Sequence, residues 1–554
     1  MRTVIIAFSI LLISTGLRAQ TRPKGEVSVG GGYGHIDPYE ASLRLDVDGR
    51  KVSFRPFFGI KGITPYSSRH IGEEDYTFTG KAPLSENAGN QYLSSSETQA
   101  KGIVTNYGFN LGLKLSRKHF LGIEFEGENL SRNESGSLKE QFMASGKDPV
   151  RTNWTISNPL VNENMFAVGA DYRFSYSPKG KLQLKYNFKH QDEAEEKLLE
   201  AIELQGFKDF SKSQVNADAK IDHHNLVLAL NHRFAKLDLG FAARYENRLI
   251  RSNDVQRLDG KITLEDHFRH SYQTGAVRAS ANYLPVKSLK LFAEFEYAYT
   301  DMQGRSLNDF LPKAAVEWRP TDIFLLALRY DRLLVRPDFK FLNPAEIREP
   351  FALRQGNEDI VGLHINKASF TFDCTLPVVA LHLDCGYSYS DDGINGIWIE
   401  KGNLRLYQWG NDGIRHAWNI SPSVKINPAK TTEINALATF LWDIRIADSI
   451  NMSHGNWGYS AHLDLKQGLP AGFGIKIFGD YSFGNTLDLY RRAGTAFNVG
   501  GSLEKDFGKS LNCAIEGRFI RFGEEFISQG AYTGLCWLRP EHRFSVGLKL
   551  RYIF

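Results

Sequence analysis

The sequence predicts an all-β chain: a transmembrane antiparallel β-barrel of about 22 strands, with long extracellular loops at one end and short periplasmic turns at the other. Three observations carry this prediction. Segments of strict apolar/polar alternation return along the whole chain, their connections fall into two length classes, and the last strand stops on an aromatic residue.

Composition sets the frame. Across 554 residues, 42% are hydrophobic and 12% aromatic, with 23 Tyr, 37 Phe and 50 Gly. Mean hydropathy is -0.33. After residue 20 no apolar run approaches the roughly 20 residues that a membrane-spanning helix needs. A formal charge of +4, from 67 basic and 63 acidic residues, gives no reason to expect a nucleic-acid partner.

The first stretch, residues 1–19, has Arg2, an apolar core from Val4 to Ile13, and the small Ala19 before Gln20. It reads as a cleaved secretory signal, so residues 20–554 are expected to form the exported barrel. Four cysteines follow. Cys374 shares a face with Phe370 and Phe372, Cys385 with Leu381 and Leu383, and Cys513 with Leu511 and Ile515, which predicts small apolar side chains and unpaired thiols.

Alternation then defines the strands. Leu43, Leu45 and Val47 oppose Ser42, Arg44 and Asp46; Phe166 to Tyr176 oppose Asp171 and Arg173; Leu237 to Tyr245 oppose Asp238 and Arg244. Further on, Leu289 to Tyr299 oppose Lys290, Glu294 and Glu296, and Phe473 to Phe483 oppose Lys476 and Asp480. On the last strand, Phe544, Val546, Leu548, Leu550, Tyr552 and Phe554 alternate with Ser545, Gly547, Lys549 and Arg551. One set is expected to face lipid. The other, including Lys290, Glu294, Glu296, Lys476, Asp480, Lys549 and Arg551, is expected to face the lumen.

Turn chemistry marks the short connections at Asp48-Gly49, Arg117-Lys118, Pro178-Lys179-Gly180, Pro285-Val286-Lys287, Pro320-Thr321, Pro377, Asn427-Pro428-Ala429, Gly468-Leu469-Pro470 and Phe507-Gly508. Between them lie polar stretches near 60–102, 130–163, 191–220, 248–268, 333–365, 390–412 and 523–541, read as outer loops. In hydrocarbon every backbone N–H and C=O must be paired, so such strands can span only as a closed barrel.

The stretch "LLVRPDFKFLNPAEIREPFALRQGNEDIVGLHIN" resembles the outer-loop signature of TonB-dependent receptor barrels of the Bacteroidetes type. The matching positions are Arg336-Pro337, Leu342-Asn343-Pro344, Pro350 and Gly356-Asn357, with Glu358 and Ile360 where the family has Pro and Leu. The resemblance implies a receptor or uptake barrel in the outer membrane of a Gram-negative bacterium, surrounded by lipid. Independently of this resemblance, the terminal Phe554 on its alternating strand matches the recognition element read by the outer-membrane assembly machinery of Gram-negative bacteria. A complete member carries a globular plug before its barrel, and "QTRPKG" offers no room for one. The expectation is therefore a plugless barrel without direct TonB contact, acting with a separate plug or surface lipoprotein. The alternative is a non-transporting scaffold that binds another envelope protein.

Three ways of closing the lumen are open at this point: inward-folding loops, a plug-like partner, or a lid protein. Loop 191–220 is one candidate, because Leu198, Ala201 and Ile202 stand at helical spacing within "DEAEEKLLEAIEL"; a solvated loop helix is the plainer reading. For Arg336 and Asn343, loop architecture is favoured over ligand contact.

No catalytic residue, metal ligand or cofactor is expected. His267-x-x-His270 sits in a polar stretch, and the adjacent His223 and His224 point to opposite faces of a strand. His382 and Asp384 share an inward face with Ser388 nearby, at ordinary strand spacing, and carry little weight as a hydrolase set.

Overall fold

The computed structural model describes residues 24–33, 39–63, 70–78, 91–143, 149–205, 212–348, 352–391, 393–401, 404–448, 452–484, 491–493, 495–508, 510–521, 525–529, 532–538 and 542–554. The expected signal, residues 1–19, and Pro350 lie outside the described residues.

Among the described residues the main sheet has 26 strands, of which four are pieces of outer loops and 22 form a closed antiparallel ring. The ring comprises β1 (Lys24–Tyr33), β2 (Glu40–Asp48), β3 (Val52–Ile63), β4 (Gln91–Lys114), β5 (His119–Met143), β6 (Pro149–Ser177), β7 (Gly180–Gln205) and β8 (Lys212–Arg233). It continues with β9 (Leu237–Leu258), β10 (Lys261–Val286), β11 (Leu289–Met302), β12 (Arg305–Trp318), β13 (Phe324–Val335), β14 (Leu363–Thr375) and β15 (Val379–Ser390). The last seven are β16 (Ile414–Ala429), β17 (Thr432–Ala447), β18 (Met452–Leu469), β19 (Phe473–Phe483), β20 (Ala496–Phe507), β21 (Leu511–Arg521) and β22 (His542–Ile553). Closure comes from β22 against β1, with Val27 opposite Tyr552 and Val29 opposite Leu550. Gly25 and Phe554 exchange two backbone hydrogen bonds of 3.0 Å across that seam, so no edge is left there.

The period-two pattern sorts the wall as the sequence predicts. On β22, Phe544, Val546, Leu548, Leu550, Tyr552 and Phe554 are all exposed on the outer face. Phe241 and Tyr245 on β9, and Val277 and Tyr283 on β10, lie on the same exterior band. Above Tyr245 and its partner Gly275 most outward positions become polar, at Asn247 and Arg251 on β9, with Leu249 between them, and at Gln273, Ser271 and Arg269 on β10. That switch marks the outer edge of an apolar belt of about 25 Å, the thickness a barrel presents to a membrane. Among the described residues no helix is long and apolar enough to cross; the crossing is made by strands. Cys374, Cys385 and Cys513 are unpaired, in keeping with the expectation; the Cys536 side chain lies outside the description.

Turns close the strands at or next to the predicted sites, with one addition at 234–236; the turn read at Gly468-Leu469-Pro470 lies at Pro470–Gly472, since β18 runs through Leu469. The turn expected at Asn427-Pro428-Ala429 lies a step later, at 430–431, because an irregularity between Ile426 and Ala429 carries β16 past the proline. Two connections at the opposite end are also tight. Asp259-Gly260 (φ 48° and 83°) and Gln303-Gly304 (φ 50° and 84°) place both central residues in the left-handed region that two-residue hairpins need.

The expected loops near 130–163, 191–220 and 248–268 are corrected by the structure: they are mostly strand. The helical reading of 192–204 fails with them. Leu198 pairs with Asn158 and Gln214, Ala201 with Thr155, and Ile202 with Trp154, so neighbouring backbones on the ladder take the hydrogen bonds a helix would have made internally. As a result β4 to β10, up to 29 residues long, rise well above the belt. Beside β4 this upper wall continues through loop strands His70–Phe78, Tyr532–Leu538, Glu525–Gln529 and Arg491–Ala493. On the other side it drops at β11 and β12, which end at the tight Gln303-Gly304 turn.

Candidate functional site

At that low rim the chain turns inward. Leaving β13, it forms a single helical turn (Phe339–Leu342), then strands Ile347–Arg348 and Ala352–Gln355. A second loop contributes Ile394–Lys401 and Leu404–Asn411. Together these make a four-stranded sheet of their own, in which Ala352–Gln355 runs parallel to Leu404–Asn411. Asn411 locks the two loops, accepting from Val361 N–H (2.8 Å) and donating to the Val361 carbonyl (3.1 Å).

The side chains of the resemblance motif tie this assembly to the lumen face of β9 to β11. Arg336 donates to the hydroxyls of Thr274 (3.1 Å) and Thr300 (2.7 Å), and its guanidinium stands 5.1 Å from the centre of the Tyr272 ring. Both threonines are fully buried and lie 3.0 Å from each other. Arg suits this position because its planar fork reaches two acceptors and stacks on an aromatic face at once. Pro337, also buried, fixes the backbone just after it.

Leu342 (1% exposed) and Ile360 (0%) pack on Phe268, with Phe341, Ile394 and Trp409 around them. Phe341 and Trp409 are 4.1 Å apart between ring centres. Asn343 donates to Asp254 (2.6 Å) while its side-chain oxygen accepts from Ala345 N–H (3.1 Å), an Asx turn that lets Pro344 follow. Ser252 also donates to Asp254 (2.7 Å). The Asn343 carbonyl accepts from Gly356 N–H (2.8 Å), and a Cβ at Gly356 would sit 2.2 Å from that oxygen. Asn357 donates from its backbone to the Phe341 carbonyl (2.6 Å) and accepts from Asp359 N–H (2.9 Å). Asp359 in turn pairs with Arg305 beyond the tight turn.

Two buried titratable groups flank the contact, both above the belt. Burial pushes the Asp254 carboxyl above the usual carboxylate range, although Ser252 and Asn343 pull the other way. Burial holds His270 (1% exposed) below the ordinary imidazole range; the nearby Gln303 side chain pulls the other way and Arg248 adds to the lowering. Neither ring nitrogen of His270 meets a partner in hydrogen-bond geometry among the described residues. It stacks with Phe268, 6.0 Å between centres.

Below the loops, Glu246 accepts from His223 (3.0 Å) and Tyr272 (3.3 Å), and Arg244 reaches both Glu246 (3.7 Å) and Glu296 (2.8 Å). Since Arg336 lies over Tyr272, one chain of contacts runs from the root of the loops into the lumen wall. The other inward charges expected from alternation find partners across strands: Lys290 pairs with Glu317, Glu294 with Lys313, Lys476 with Glu504 and Lys549 with Glu40, while Asp480 is hydrogen-bonded to His462. Arg551 is exposed on the same strand as Lys549.

The remaining histidine signals dissolve. His267 and His270 belong to strand β10, not to a loop, and stand at odd and even positions on opposite faces. His223 meets Glu246 inside, while His224 meets Tyr186 outside (2.8 Å). His382 pairs with Asp373 (2.5 Å) and Asp384 accepts from Thr371 (2.9 Å), so His382 and Asp384 form no relay with Ser388. Among the described residues no group of His, Cys, Asp and Glu is arranged to hold a metal.

A closed ring of antiparallel strands with an apolar exterior and an ion-paired interior defines a transmembrane barrel of the outer-membrane kind. The chain belongs to the outer membrane protein beta-barrel family, whose model matches residues 113–517. Among solved structures it is similar to the ferric yersiniabactin uptake receptor FyuA from Yersinia pestis, with a TM-score of 0.62 and 10% identity over 97% of this chain and 81% of that one. A variant of the ferric enterobactin receptor PfeA from Pseudomonas aeruginosa, bound to enterobactin, gives a TM-score of 0.66 and 10% identity over 97% and 82%. The copper transporter OprC gives 0.65 and 9% over 96% and 80%. At these identities the likeness is one of fold. No curated protein matches the sequence.

Proposed function

We propose that this chain is a receptor- or transport-type barrel, related to TonB-dependent receptors, that admits a ligand to its lumen together with a partner. The observation that carries this reading is the lodging of loops 336–362 and 391–413 on the lumen side of the wall, through Arg336, Asn343, Leu342 and Ile360. A loop that served only as a surface connection would have no need of a buried anchor aimed inward. The polar inner wall suits a water-filled path or a polar partner such as a separate plug, because unpaired charges are costly in a dry interior. The neighbouring fold, shared with proteins named as uptake receptors and as a transporter, supports the same class.

The tall outer wall of β4 to β10 favours one other reading, a scaffold that holds an envelope protein such as a surface lipoprotein. Planar-bilayer conductance separates the two. A transport barrel is expected to conduct more when residues 338–360 are replaced by a short Gly-Ser linker. A scaffold is expected to stay silent with and without those residues.

A further inference from the structure

The inner wall at the closure seam holds a feature that the lodged loops do not touch. Strands β19 to β22, with β1 and β2, line a cavity of about 380 Å³. Its floor is open because glycines occupy inward positions. The Phe478 ring lies across Gly500, where an added Cβ would be 2.6 Å from it, and Glu40 lies across Gly30, where the distance would be 3.1 Å. Ion pairs Lys476–Glu504 and Lys549–Glu40 form two sides of the rim.

Between those pairs stand Glu516 and Arg518, both exposed and two residues apart on one face of β21. The strand rise separates their Cα atoms by about 7 Å. Neither has an ion-pair partner among the described residues; Arg518 instead places its guanidinium 5.3 Å from the centre of the Phe478 ring. A cavity whose flanking charges are satisfied and whose central charges, one of each sign, are not is complementary to a molecule that also carries one of each.

We propose that this cavity binds an amphoteric solute of the short-peptide class. Its carboxylate meets the fork of Arg518, with Lys549 nearby; its ammonium group meets Glu516; and its chain lies along Phe478 and the glycine floor. A neutral sugar would leave both central charges uncompensated, and a simple anion would leave Glu516 so. The proposal deepens the transport reading and rests on it, but its test reads binding, so the two can fail separately.

The test is calorimetry on the full chain in detergent micelles at pH 7, using triglycine, N-acetyltriglycine and triglycine amide as probes. Triglycine is expected to bind roughly tenfold tighter than either singly charged analogue, the difference one charge-assisted contact makes. Arg518→Gln and Glu516→Gln should each weaken triglycine about tenfold, while Glu516→Gln leaves N-acetyltriglycine unchanged. Heat-modifiable migration on gels verifies that each variant keeps the barrel. Absence of triglycine binding, equal binding of the three probes, or wild-type affinity in both variants would overturn the assignment.

Discussion

The amide of Asn343 donates to the carboxylate of Asp254 over 2.6 Å, joining an outer loop to the inner wall of the barrel across 89 residues of chain. Asp254 is buried and Asn343 half-buried, so loss of the bond leaves the carboxyl group short of a donor that solvent does not readily replace. Asn343→Ala strips Asp254 of one of its two side-chain donors, at a cost of about 1–3 kcal/mol to docking. Limited trypsin digestion of membranes should cut the variant between Arg336 and Arg354 faster than the wild type. Equal rates would show that the bond holds nothing.

Arg336 serves Thr274 and Thr300 together. Arg336→Lys keeps the charge but not the fork, and leaves a fully buried hydroxyl pair under-satisfied. A loss of about 1–3 kcal/mol in loop docking is expected. Adding Thr300→Val to Arg336→Lys should recover little of it, because that change also removes the hydroxyl 3.0 Å from Thr274. Hydrogen exchange across 336–362 measures the effect, and unchanged protection in Arg336→Lys would count against this account.

Gly356 is required for proximity, since its φ is not in the left-handed region but a Cβ there would press on the Asn343 carbonyl at 2.2 Å. Gly356→Ala should therefore cost about 1–3 kcal/mol through displacement of the backbone pair it forms with Asn343. The same digestion reads it out. A silent Gly356→Ala would mean that the loops sit less tightly than the contacts imply.

Docking should weaken on acidification. Burial lowers the pKa of His270 from its ordinary 6.5, so the released state binds the extra proton more readily than the docked one. The stability His270 contributes is present above pH 6.5 and is lost as the pH falls from there through its docked value. Asp254 has the opposite sign: its raised pKa favours the docked state while it is protonated, an advantage lost as the pH rises from 3.8 through its docked value. Trypsin sensitivity between pH 7.5 and pH 5.5 should rise in the wild type and flatten in His270→Asn, a range set about the imidazole value. A wild-type slope retained in His270→Asn would remove His270 from the explanation.

Phe554 closes the ring against Gly25 by two backbone bonds and presents its ring outward. Deleting it removes both bonds and the last outward aromatic. The expected result is a several-fold fall in heat-modifiable barrel in the membrane fraction, on the order of the loss of a strand end. Normal yield of the deletion variant would separate this residue from assembly.

Much of the membrane-spanning ring was legible because one face of each strand meets lipid. Phe241, Val277 and Leu548 had to alternate with residues such as Arg244, Arg278 and Lys549, and that contrast is a local signal. Above the belt the contrast inverts: on β8 Asn216, Asp218 and Lys220 face outward to water while Val215, Ala219 and Ile221 are buried on the inner side, so the polar outer face no longer reads as a membrane strand while the ladder continues. The run from Glu193 to Glu203 adds residues with good helix propensity, which only pairing on both sides overrides. The motif at 336–357 was visible, but not its partners. Thr274, Thr300, Asp254 and Phe268 lie far away in the chain, and the parallel pairing of Ala352–Gln355 with Leu404–Asn411 joins two different loops. Period-two phase could have placed Thr274 and Phe268 on the inner face; nothing local could have placed the loop against them.

Access to the lumen can be read at the ion pair of the low rim, Arg305 with Asp359. In a chain whose native cysteines are replaced by alanine, Arg305→Cys and Asp359→Cys are joined by a short reducible cross-linker, and single-channel conductance is recorded in a planar bilayer before and after reduction. If the lodged loops control access to the lumen, the linked protein stays at low conductance and reduction raises it, most of all in the presence of Asn343→Ala. Identical conductance in the linked and reduced states, with cross-linking verified, would mean that the lodged loops do not control the lumen.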